Sequence, residues 1–65
     1  MKKERTQEEK ETIFNYHYYL LLSTGRTFIQ DKEEKNIVVS FLNENEVRFS
    51  STFRGEAFGY EVELL

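Results

Sequence analysis

The stretch Ile13-Phe14-Asn15-Tyr16-His17-Tyr18-Tyr19-Leu20-Leu21-Leu22 decides the fold, because the aromatic residues crowd here and two structural periods compete. Phe14, Tyr16, Tyr18, Leu20 and Leu22 fall on one parity. Ile13, Asn15, His17, Tyr19, Leu21 and Ser23 fall on the other. Large apolar residues alternating with a mixed set are the pattern of a half-buried strand, and Tyr and Phe favour strands. The rival is a helix that begins at Thr6 and is capped by Gly25. Eight of the ten residues are apolar or aromatic. They would clothe such a helix on every side, so the alternation is read as a strand.

Upstream, residues 2–12 contain no apolar side chain. Thr6-Gln7-Glu8-Glu9 has the spacing of a capping box. A helix over this segment has no apolar stripe with which to dock, so residues 1–12 are read as a charged arm, flexible or helical. Downstream, Ser23-Thr24-Gly25-Arg26 is a turn signal, followed by a short strand over Thr27-Phe28-Ile29-Gln30. The wholly polar Asp31-Lys32-Glu33-Glu34-Lys35-Asn36 reads as a loop. Ile37, Val39 and Phe41 alternate with Val38, Ser40 and Leu42, as in a strand apolar on both faces.

The last third alternates most cleanly. Val47, Phe49, Ser51 and Phe53 share one parity, against Glu46, Arg48, Ser50, Thr52 and Arg54. After a break at Gly55-Glu56, Phe58, Tyr60, Val62 and Leu64 share a parity against Gly59, Glu61, Glu63 and Leu65. One dry and one wet face is the signature of antiparallel strands joined by short turns. The expected fold is mainly β: a five-stranded antiparallel meander over residues 13–65, curled into a sheet or barrel, behind the polar N-terminal arm. A core this small gains from closing into a barrel or pairing as a homodimer.

Composition narrows the function. The chain of 65 residues has no Cys, so disulfides, thiolate metal sites and cysteine nucleophiles are excluded. It has one His, which excludes a multi-histidine metal site within a chain. Nine Lys plus Arg against twelve Asp plus Glu leave a net charge of -3. The arm is balanced, so residues 13–65 carry the whole acidic excess, which repels phosphate backbones and anionic lipid. No apolar run approaches the roughly 20 residues that span a bilayer, and the start lacks the apolar segment of a secretory signal. A cytoplasmic setting is expected, the host cytoplasm for a viral protein.

No constellation for chemistry emerges. His17 titrates near neutrality, but no acid is singled out as its partner. There is no Gly-x-Ser-x-Gly elbow, and the three glycines are too dispersed to cradle phosphate. Neither catalytic residue, metal ligand nor cofactor is assigned. The six Phe and four Tyr are the unusual feature. On a sheet they could stack bases, with Arg48 and Arg54 meeting phosphates, which makes a single-stranded RNA or DNA binder the alternative. Glutamates on the same face oppose it. Tyr and Arg are also favoured anchors of protein interfaces. The sequence therefore points to a small non-catalytic protein that binds a larger protein stoichiometrically, as a regulator or inhibitor of the kind phages and mobile elements encode. Its expected partner-binding residues are Tyr19, His17, Arg48, Arg54 and Leu21.

Overall fold

The computed structural model describes residues 5–65. Its elements are α1 (Gln7–Thr24), β1 (Arg26–Ile29), α2 (Lys32–Glu44), β2 (Phe49–Phe53) and β3 (Tyr60–Leu64). The expected five-stranded meander is corrected to a two-layer α+β fold. Both helices pack on one face of a three-stranded antiparallel sheet of order β1-β3-β2. Two segments expected as strands, residues 13–22 and 37–42, are helical. The expected division between arm and domain falls inside α1, and the arm's first four residues lie outside the described residues.

Helix α1 wins because its ends are specified and one of its faces has somewhere to go. The capping box forms: Thr6 N donates to Glu9 Oε1 (2.8 Å), and Glu9 N donates to Thr6 Oγ1 (3.1 Å). At the other end Gly25 takes φ 86° and its N–H donates to Leu21 O at 2.8 Å. That left-handed conformation suits glycine. Between the caps, Ile13, Phe14, His17, Tyr18 and Leu21 recur at helical spacing and form the inward face. Phe14 stacks on Tyr18 and on Phe41 of α2, with ring centroids 5.0 and 4.9 Å apart. The apolar surplus that argued against a helix becomes its outward face, where Tyr16, Tyr19 and Leu22 are exposed.

The polar segment expected as a loop opens α2. The Asp31 side chain accepts from Glu34 N at 3.2 Å and caps the helix. Ile37, Val38, Phe41 and Leu42 then share one face, and Val38 and Leu42 are fully buried. The helix closes with a left-handed residue, Glu46, at φ 58°. Glu46 N donates to Asn43 O and Val47 N to Leu42 O, at 3.1 and 3.0 Å. This is the Schellman pattern, with glutamate where glycine is usual.

The hairpin of β2 and β3 follows the alternation seen in the sequence, with Phe49 opposite Leu64, Ser51 opposite Val62 and Phe53 opposite Tyr60. On the other side of β3, Thr27 meets Val62 and Ile29 meets Tyr60. These residues form the helix-bearing face. The core is Leu21, Ile29, Val38, Leu42 and Val62, with at least one residue from α1, β1, α2 and β3. Among the described residues no helix covers the second face of the sheet, the bare face, which carries Arg26, Phe28, Ser50, Thr52, Glu61 and Glu63.

Candidate functional site: an aromatic-rimmed cleft

An open cleft of about 800 Å³ lies where α1, the end of β1, the start of α2 and the loop joining β2 to β3 converge. Ile13 and Ile29 supply apolar wall, while Tyr16, Phe28 and Phe58 line it and remain exposed. Phe28 and Phe58 are neighbours, with centroids 6.0 Å apart. Tyr19, 69% exposed, follows Tyr16 along the outward face of α1 and extends the aromatic surface away from the cleft.

The loop that presents Phe58 is pinned. Gly59 N donates to Gly55 O, and Arg54 N donates to Gly59 O, both at 2.7 Å. Gln30 Nε2 reaches across to Ala57 O at 2.8 Å. Gly59 sits at φ 75° against the end of β1, where a Cβ would lie 2.5 Å from the Gln30 Cα and from the Ile29 carbonyl oxygen. Glycine is required there by both the dihedral and the close approach. Backbone packing thus fixes one aromatic wall of the cleft.

His17 lines the cleft from within. It is buried, and its Nδ1 shares a 2.8 Å hydrogen bond with the buried Thr27 Oγ1. Burial lowers its pKa below the ordinary 6.5, and the charge of Glu34 partly offsets that. The neutral ring therefore dominates at pH 7.

On the bare face, Glu61 is only 6% exposed although it stands opposite Phe28 and Thr52, away from the helices. Two arginines cover it. Arg54 Nε donates to Glu61 Oε1 at 2.7 Å, and Arg26 lies 3.4 Å from Oε2. Arg26 also reaches Glu63, at 3.9 Å. This charge-matched cluster adjoins the cleft through Phe28 and Phe58, which line both hollows.

The residues expected to bind a partner do not converge. Tyr19 is outward on α1. Arg54 lies beside Glu61 on the bare face. Arg48 is exposed, but at the opposite end of β2. Leu21 is 1% exposed and belongs to the core, so the expectation that it contacts a partner is corrected. His17 faces inward, to Thr27. A strand at residues 13–22 would have set His17, Tyr19 and Leu21 on one surface. A helix turns them by about 100° per residue and separates them.

Sequence reasoning missed Tyr16, Phe28, Phe58, Arg26 and Glu61 as surface features. Tyr16 shares its parity with Phe14 and Tyr18, and Phe58 shares its own with Tyr60 and Val62. The spacing of Arg26 and Phe28 around Thr27 did carry the signal of one sheet face, read in the light of Ile29. The chain matches no known protein family, and no curated protein or solved structure matches it.

Proposed function

We propose that this protein is a small non-catalytic binding domain that engages one larger protein stoichiometrically, as a regulator or inhibitor, and that the aromatic-rimmed cleft is its contact surface. The observation that carries this reading is the exposure of Tyr16, Phe28 and Phe58 around one apolar hollow whose wall is held by backbone contacts. Exposed aromatics around a pre-formed hollow give large contact area at low entropic cost. Such a hollow suits an apolar side chain projecting from a folded partner. Tyr19 extends the contact along α1, and the paired Arg26, Arg54, Glu61 and Glu63 supply a polar rim. A cytoplasmic setting is part of the proposal. Among the described residues, no helix is long and apolar enough to cross a membrane.

The charge pairing favours a protein over a nucleic acid. Arg26 and Arg54, the two bases nearest the cleft on the bare face, are engaged by Glu61 and Glu63. Little net positive potential is left for phosphates.

The test is affinity capture from the native cell with tagged wild-type chain and with Tyr16→Ala and Phe58→Ala. Both positions are exposed, so both variants are expected to keep the wild-type circular dichroism spectrum. Each is expected to weaken retention of the captured protein by about tenfold or more. Undiminished capture by both folded variants would remove the cleft as the contact surface.

A further inference from the structure

Strand β2 is an edge strand, paired with β3 alone. Arg54 N donates to Gly59 O, and Leu65 N donates to Arg48 O. By the alternation of an antiparallel ladder, the even-numbered residues of β2 therefore bond to β3. The main-chain N–H and C=O groups of Phe49, Ser51 and Phe53 point out from the edge. No charged residue or proline guards this edge within Phe49–Phe53, the usual means of keeping edges apart. The opposite edge strand, β1, is shorter and begins with Arg26.

The order Phe49-Ser50-Ser51-Thr52-Phe53 is nearly the same read in either direction. An antiparallel copy related by a two-fold axis at Ser51 places Phe49 against Phe53 of the second copy, Ser50 against its Thr52, and Ser51 against its Ser51. The odd-numbered pairs are then hydrogen-bonded pairs, which is the arrangement that satisfies the outward main-chain groups, with about six N–H···O bonds. Both aromatic pairs fall on the helix-bearing face, where Phe49 packs at the margin of the core and Phe53 lies beyond the helices, which pack chiefly over β1 and β3. Phe53 is left 57% exposed there. Within the strand the even-numbered pair, on the bare face, brings Ser50 against Thr52.

We propose that β2 is the seam of a homodimer in which two copies join edge to edge and merge their sheets into one continuous antiparallel sheet. No residue of Phe49–Phe53 lines the cleft, and Arg54 alone borders both surfaces, so the seam stands apart from the proposed function. Its weak point is at the rim, where Arg48 faces Arg54 of the second copy. Like charges directly opposite are destabilising. Arg54 is partly neutralised by its own Glu61, at 2.7 Å.

Light scattering on the full chain over a concentration series tests the seam, with circular dichroism as the check on folding. Wild type is expected to approach twice the 7.8 kDa chain mass. Ser51→Lys, at an exposed position, sets two ammonium groups against each other at the axis and is expected to give the mass of one chain. Arg48→Glu turns both rim repulsions into attractions and is expected to lower the dissociation constant about tenfold. An unfolded variant cannot mimic that gain. A wild-type mass of one chain up to about 1 mM, a Ser51→Lys variant still at twice the chain mass, or Arg48→Glu without gain overturns the proposal.

Discussion

His17 shows how one side chain couples burial to pH. Its ring is held at Thr27 inside the helix–sheet layer, and desolvation disfavours its charged form. The unfolded chain then binds the proton at a higher pH than the folded one. Between the lowered native pKa and the unfolded 6.5, the unfolded state carries more protons, so stability rises with pH through that window. The stabilisation is complete above 6.5 and is lost as pH falls toward the native value. Urea unfolding at pH 7.5 and 5.5 is expected to show a lower midpoint at pH 5.5. His17→Gln, which cannot titrate, is expected to lose most of that difference. An equal drop in the variant would assign the effect to other groups.

The ends of the elements carry as much information as their interiors. Thr6 with Glu9 and Asp31 with Glu34 both supply orphan helix N–H groups with side-chain acceptors. At the end of α2 the backbone makes both Schellman bonds, yet its left-handed position is Glu46 at φ 58°. A residue with a Cβ is strained there by about 1–2 kcal/mol, and glycine is not. Glu46→Gly is therefore expected to stabilise the fold by about 1 kcal/mol, read as a rise in the urea midpoint with an unchanged m-value. A fall in the midpoint would mean that the Glu46 side chain makes a contact worth more than the strain.

For the molecule as a whole, the core is small enough that single residues matter. Among the described residues, five hydrophobic side chains make up the buried core, Leu21 among them. Leu21→Ala is expected to cost about 3 kcal/mol, a large share of the roughly 5 kcal/mol that a domain of this size retains. The variant is expected to unfold cooperatively at a much lower temperature. Any loss of partner binding should track the unfolded fraction. If Leu21→Ala binds more weakly at a temperature where it is fully folded, the residue contacts the partner after all. Tyr19→Ala at an exposed site of the same helix offers the contrast, with stability within about 0.5 kcal/mol of wild type.

The hairpin was legible because residues 47–53 and 58–64 alternate without a competing helical stripe, and period 2 sends every core residue to one face. The N-terminal cap of α1 was legible too, since Thr6 and Glu9 stand at the spacing their hydrogen bonds require. Charge balance and the lack of cysteine bound the chemistry from composition alone. The identity of residues 13–22 and 37–42 was not decided locally. In so crowded a run, every second residue is apolar and so is every fourth, and β-branched Ile37, Val38 and Val39 lean toward a strand. Packing decided between them. A three-stranded sheet buries only one face, and a helix gathers Ile37, Val38, Phe41 and Leu42 on one side to meet it, where a strand would divide Ile37 and Phe41 from Val38 and Leu42. The same choice turned Tyr16 outward and Leu21 inward. The cleft therefore belongs to the tertiary structure, because its walls come from segments far apart in the chain that meet only once the helices have docked.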